Sequence, residues 1–203
     1  MFRSVCLRCK RPESHCLCAS IPALAPRTRV VVLQHPSEAR HPLNTARLAV
    51  LGLAGARLLV GERYTPQDWM APGYAPHLLF PGPGARVLGQ GMDGGEPARP
   101  IQLIVPDGTW THARKLVRLN PELAALPRVM LQEGLTSRYR VRHADIDGAL
   151  SSIEAIVHAL NAIEAPARFD ALLDPFERMI DLQIEGMGEH LYARHHLMRK
   201  PRR

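Results

Sequence analysis

Four cysteines, Cys6, Cys9, Cys16 and Cys18, fall within thirteen residues, and the rest of the 203-residue chain has none. Such a cluster suits metal ligation better than disulfides in a reducing compartment. The spacing C-x2-C-x6-C-x-C opens on the usual knuckle, in which a tight turn brings two thiolates to one tetrahedral ion. The second pair is closer together than the common form. His15 is an alternative fourth ligand, and four reduced free thiols are the metal-free alternative. A closed four-thiolate site is structural, because catalytic zinc keeps one position open for water. The pattern predicts structural Zn2+.

Three other segments group side chains that do chemistry. PDGTW (106–110) puts an acid, a glycine and an indole together. Asp107 can cap a following helix, act as a base, or accept hydrogen bonds from a ligand. Trp110 is either core packing or a stacking surface. HPSEARHPLNTARL (35–48) carries His35, Arg40, Asn44 and Arg47, with prolines that make a stiff loop. Asn44 or Thr45 can cap a helix there, with Pro42 in its first turn. TSRYRVRH (136–143) spaces Arg138, Arg140 and Arg142 at period two. If extended, it projects three guanidinium groups from one face, with Tyr139 and Val141 on the other. Like charges in a row need an anion or an acid such as Asp145 to answer them.

The elements that must position these groups are apolar runs alternating with helical periodicity. Strands are expected at Arg29–His35, Ala56–Glu62, His77–Gly82, Ile101–Gly108 and 128–132. Each is an unbroken apolar run, as in a strand covered on both faces. Helices are expected at 43–54, 109–119, 150–164 and about 175–198. Ser151 or Ser152 caps the third, with Glu154 placed for a capping box. The loop at 91–100 is the most flexible stretch by composition. The pattern predicts an α/β fold with a mostly parallel sheet and helices on both faces, over residues 28–203, after a four-cysteine segment and linker at 1–27. Ligands in such sheets bind beyond the carboxyl ends of the strands. That rule selects His35-Pro36, Pro106 to Trp110, and the segment from Gln132 to Arg142. His112, Arg114, Lys115 and Arg118 lie on the helix after PDGTW, a plausible phosphate-contacting face.

Composition excludes several classes. Hydrophobic residues make up 46% of the chain, too many for a disordered protein, and the longest apolar run, Leu48–Ala56, is half a membrane span. The first ten residues lack a signal peptide's apolar core, so a cytoplasmic protein is expected. There is no dinucleotide fingerprint and no P-loop. The net charge of +7 sits at the ends: +5 over residues 1–29, +4 over 189–203, and −2 between. Basic ends are either solubilising or contact a polyanion such as RNA.

In order along nearly the whole chain, CLRC…CLC, HPSEARHPLNTARLAVLGL, RLLVGE, LLFPG, VPDGTWTHARKL, SRYRVR and LSSIEAIVHAL resemble the DTW-domain proteins. Their naming motif, Asp-x-Thr-Trp, is Asp107, Thr109 and Trp110 here. The resemblance implies a SPOUT-like fold, for which a knotted carboxy-terminal region is one option. It also implies transfer of the 3-amino-3-carboxypropyl group of S-adenosylmethionine to N3 of a tRNA uridine. It carries over Asp107, Thr109, Trp110, Ser151, Ser152 and Glu154 as site residues. The expected division of labour has Asp107 as base, with Thr109 and Trp110 beside it. Pro106, Gln132, Arg140, Arg142, Ser151, Ser152 and Glu154 are expected around the donor. His35, Arg40, Asn44, Arg47, Arg114, Lys115, Arg118 and Arg138 are expected on the tRNA. Alternatives are an RNA methyltransferase and a non-enzymatic zinc-containing RNA-binding factor. A monomer and a homodimer fit the pattern equally well.

Overall fold

The computed structural model describes residues 4–89, 99–141 and 149–192. Six strands form one all-parallel sheet: β1 (Arg29–Gln34), β2 (Arg57–Val60), β3 (Ala75–Leu79), β4 (Arg86–Val87), β5 (Ile101–Asp107) and β6 (Arg128–Met130), in the order β2-β1-β5-β3-β6-β4. Five overlap the expected apolar runs. The strand expected at His77–Gly82 starts earlier and ends earlier, at Ala75–Leu79, because Ala75 and Pro76 already pair with Ile101 and Gln102 of β5. The sixth, β4, lies in a Gly/Pro-rich stretch read as loop. It is two residues long and, among the described residues, pairs only with β6.

Side chains alternate across the sheet as a pleated strand requires. Val30, Val32, Leu103 and Val105 face one core, and Val31, Leu33 and Ile104 face the other. The first core is covered by α1 (Ala46–Gly52), α5 (Ser152–Ile163) and α6 (Asp174–Met187). The second is covered by α2 (Pro66–Trp69), α3 (Trp110–Leu119) and α4 (Pro121–Ala124), through Trp69, Val117 and Leu123. Helices on both faces agree with the expected architecture.

Some boundaries moved for identifiable reasons. The helix expected from residue 43 begins at Ala46, because residues 41–44 are spent in turns closed by His41 N to Glu38 O and Asn44 N to His41 O. The Asn44 side chain, not that of Thr45, accepts from the Arg47 N–H at 3.1 Å and serves as the cap. The helix expected to reach 198 stops at Met187, where Gly188 takes φ +80, a left-handed conformation that closes a helix end; a short α7 (Glu189–Tyr192) follows. Residues 193–203, and with them most of the basic tail, lie outside the described residues, as does most of the 91–100 loop.

Register places the site. Gln34 is level with Asp107 across β1 and β5, and with Val60 across β1 and β2. The three strands therefore end together, and His35, Glu62 and Gly108 emerge side by side at their carboxyl ends.

Ser151 caps α5, and Glu154 closes the capping box by accepting from Ser151 N at 2.8 Å and Ser151 Oγ at 2.6 Å. The same buried carboxylate also accepts from Ser137 Oγ at 2.9 Å and Arg138 N at 2.6 Å. It thus fastens the 137–138 segment to the helix start. Glu154→Ala strands these donors, and a loss of about 3 kcal/mol is expected. For a domain of this size that lowers the melting temperature by roughly 6–12 °C in a thermal denaturation scan.

Candidate active site

A chain of buried polar groups runs across the carboxyl ends of β1 and β5. The Asp107 carboxylate accepts from Gln34 Nε2 at 2.7 Å, and its other oxygen accepts from Ser152 Oγ at the first turn of α5. Asn44 Nδ2 donates to Gln34 Oε1 at 3.3 Å and to the Glu38 carbonyl at 3.0 Å. Gln34 is fully buried. A buried amide must be paired, and here it fixes which carboxylate oxygen faces which strand. Asp107 is not the helix cap. That task falls to Thr109, whose Oγ1 accepts from His112 N at 3.2 Å.

Beside this chain lies a cavity of about 710 Å³. Its floor is Pro106, Gly108, Trp110 and Ala113, and its far wall includes Phe80 and Pro81 after β3 and Met130 to Thr136, from the last residue of β6 onward. Leu150, Ser152 and Ala155 close it from the α5 side. The Phe80 and Trp110 rings lie 5.8 Å apart, tilted by 51°. A mostly apolar cavity with a few polar groups, in this size range, suits a nucleoside-sized ligand. Of the expected donor-site residues, Pro106, Gln132 and Ser152 line it. Ser151 and Glu154 do not; they are engaged in the capping box. Asp107 stands behind Ser152 rather than at the wall.

On the other side of Gly108 is a second polar group. His35 and His112 stack with ring centroids 3.8 Å apart and planes within 5°. Glu62 Oε1 bonds both His35 Nε2 and Lys115 Nζ at 2.8 Å. Hydrogen bonds from Lys115 and then His35 hold the Glu62 carboxyl below its ordinary range. Ser37 Oγ lies 2.8 Å from His35 Nδ1 and 3.2 Å from His112 Nδ1. A Cβ on Gly108 would meet His112 Cβ at 2.9 Å, so only glycine lets the turn pack this closely on the histidines.

The arginine row is corrected. Residues 136–139 form no strand, and 140–141 form a turn. Side chains still alternate: Arg138 and Arg140 are exposed while Tyr139 and Val141 are buried. The acids that answer are on α6. Arg138 pairs with Glu177 at 2.7 Å and Arg140 with Asp181 at 2.6 Å. Neither arginine lines the cavity. Arg142 and Asp145 lie outside the described residues. Arg40, Arg114 and Arg118 are exposed, and Arg47 is half-buried on α1. The sequence reading passed over Gln34, Ser37 and Glu62. Only Gln34 had a signal, as the lone uncharged polar side chain in the apolar run RVVVLQ.

The four cysteine sulfurs all lie within 4.8 Å of one another, with Cys6–Cys18 at 3.6 Å and Cys9–Cys16 at 3.8 Å. A tetrahedral zinc with bonds of about 2.3 Å has sulfur–sulfur edges of about 3.8 Å, so the set fits that ion and is too open for disulfides. His15 is not in the cluster; its Nδ1 meets Ser14 Oγ at 2.9 Å. Backbone N–H groups of Cys9 and Arg8 lower the Cys6 thiol to about 6, and burial pushes Cys18 up to about 12. Four thiols in one place cannot all ionise without a cation to take the protons' place. Arg11 ties the knuckle to the loop before α1, donating to the Pro42 carbonyl at 2.6 Å, and also meets Met179 of the core.

Among the described residues no helix is long and apolar enough to cross a membrane. No solved structure matches the chain. Curated relatives do. The tRNA-uridine aminocarboxypropyltransferase 2 of Drosophila melanogaster is 30% identical, over 93% of this chain and 78% of that protein. The protein of the same name from Macaca fascicularis is 27% identical over 97% and 69%. The tRNA-uridine aminocarboxypropyltransferase A of Arabidopsis thaliana is 28% identical over 80% and 73%. The family model of the DTW domain matches residues 3–184, which take in the knuckle, the Asp107–Trp110 turn and the start of α5 alike. The chain belongs to the DTW-domain family.

Proposed function

We propose that this chain is a cytoplasmic tRNA-uridine aminocarboxypropyltransferase. It moves the 3-amino-3-carboxypropyl group of S-adenosylmethionine to N3 of a tRNA uridine, and 5′-methylthioadenosine leaves. The observation that carries the reading is the convergence of motif residues on one cavity: Trp110 and Ser152 line it, and Asp107 lies directly behind Ser152. The names of the relatives supply the reaction class.

A sulfonium has three electrophilic carbons, and the enzyme selects among them by which one it holds in line with the nucleophile. An apolar cavity with Phe80 and Trp110 on its walls suits the adenosine and sulfonium, leaving polar groups at one side for the travelling amino acid. Ser152, oriented by Asp107, serves that side, with Gln132 and Thr136 available on the opposite wall. Asp107 itself holds Ser152 and Gln34 rather than meeting the uracil. The tRNA is held by cations around the strand ends and by the knuckle, where Arg8 and Lys10 are exposed. The knuckle binds one structural Zn2+ through Cys6, Cys9, Cys16 and Cys18. Residues 1–27 form this appendage and 28–203 the catalytic domain.

The test is the identity of the small product after incubation with S-adenosylmethionine and tRNA. Methylthioadenosine, formed in step with a modified uridine, is expected. S-adenosylhomocysteine would make the protein a methyltransferase instead, and neither product would leave only RNA binding.

A further inference from the structure

The transfer requires that the uracil N3–H lose its proton as the nitrogen attacks, and Asp107 is walled off from the cavity by Ser152. We propose that His112 Nε2 is the proton acceptor. It is presented by a relay that runs from Glu62 through His35 and Ser37. The inference rests on the reaction proposed above.

The hydrogen positions follow from one donor that cannot turn. The backbone N–H of Ser37 points at His35 Nδ1, at 3.3 Å, so that nitrogen carries a lone pair and not a proton. The neutral His35 ring must then hold its proton on Nε2, where it donates to the Glu62 carboxylate. Ser37 Oγ lies 2.8 Å from the same lone pair, a contact that needs a hydrogen between the atoms, and only the hydroxyl can supply it. With its hydrogen spent, Ser37 Oγ is an acceptor toward His112. His112 therefore donates from Nδ1. A neutral His112 with its proton on Nδ1 has its lone pair on Nε2, and among the described residues nothing donates to that atom.

Stacking on His35 and the Nδ1 contact with Ser37 Oγ hold the plane of the His112 ring. The groups that face it are Glu62 beyond β2, His35 beyond β1, Ser37, and Lys115 one turn along α3, where Lys115 is already paired to Glu62. Gly108 lines the cavity and a Cβ on it would meet His112 Cβ at 2.9 Å, so His112 sits one turn behind the cavity wall. In the proposed pose the uracil lies over that turn, between donor and imidazole. Imidazole is a better match than a carboxylate to so weak an acid. In the step, the N3–H proton passes to His112 Nε2 and the nitrogen pair forms the new C–N bond. The C–S pair returns to sulfur, methylthioadenosine leaves as a neutral thioether, and the imidazolium gives its proton to solvent.

The test compares wild type with His112→Gln in single-turnover transfer across pH, with tRNA and S-adenosylmethionine affinities measured separately. For His112→Gln the rate is expected to fall about 10²–10⁴-fold, with both affinities within about threefold of wild type. Its residual rate should climb with pH as N3–H ionises unaided, where the wild-type rate levels off. A His112→Gln rate and pH profile equal to wild type would overturn the assignment while leaving the reaction in place. A wild-type protein that releases no methylthioadenosine would instead remove the reaction, and the assignment with it. Nitrogen NMR of the ring atoms is a second readout: Nδ1–H for His112 and Nε2–H for His35 are expected, and the reverse pair would break the relay.

Discussion

Asp107→Asn is expected to lower turnover by about 10²-fold or more while tRNA affinity stays within about threefold of wild type. The estimate rests on losing the preorganised orientation of one polar group at the cavity wall, the Ser152 hydroxyl, whose hydrogen Asp107 holds so that its oxygen faces the donor as an acceptor. A carboxylate accepts on both sides, from Gln34 Nε2 and from Ser152 Oγ. An asparagine must turn an NH2 toward one of them. Toward Gln34, two amide donors meet, and Gln34 cannot flip without withdrawing its oxygen from Asn44. Toward Ser152, the hydroxyl must reverse and aim its hydrogen elsewhere. Either arrangement disturbs the side chain that lines the cavity, and neither touches the exposed cations of α3. Steady-state kinetics together with a filter-binding isotherm separate the two effects. Unchanged turnover would reduce Asp107 to a brace between β1, β5 and α5.

The second large effect is expected from the knuckle. Cys9→Ser removes one sulfur from the proposed zinc site. Zinc per chain, measured by mass spectrometry on the native protein, should fall from one to well below one. The segment without its ion cannot hold Leu17 and Ile21 in the core, where they are 1% and 9% exposed. Losing both burials costs about 4 kcal/mol, which lowers the melting temperature by roughly 8–16 °C. Turnover should fall as well. Arg11 anchors the Pro42 carbonyl, and the same turn carries Asn44 into the Gln34–Asp107 chain. A wild-type protein that contains no zinc and melts unchanged in chelator would overturn the structural role.

β1 and β5 were legible because each is an apolar run buried along nearly its whole length. β2 was found as a strand but not as the buried one expected, since it lies at the sheet edge with Val60 exposed. The two-residue β4 had no such run to reveal it. The four-cysteine site was legible because all its ligands are near neighbours in the chain. The TSRYRVRH segment shows where local pattern stops. Alternation correctly put Tyr139 inside and Arg138 and Arg140 outside, but their acids are on α6, about forty residues away. Asp107 could be singled out as important, yet its partners Gln34 and Ser152 come from 73 and 45 residues away. The histidine relay draws on three segments, those that follow β1, β2 and β5, and parallel register makes them neighbours. Only the level ends of β1, β2 and β5 reveal that.

The two faces of the sheet hold separate cores, and the cavity takes walls from both: Trp110 and Ala113 from the α3 layer, Ser152 and Ala155 from the α5 layer. A donor lodged there is a cross-brace. It ties the α3 layer to the α5 layer across the carboxyl edge of the sheet, so occupancy of the cavity becomes part of the rigidity of the domain.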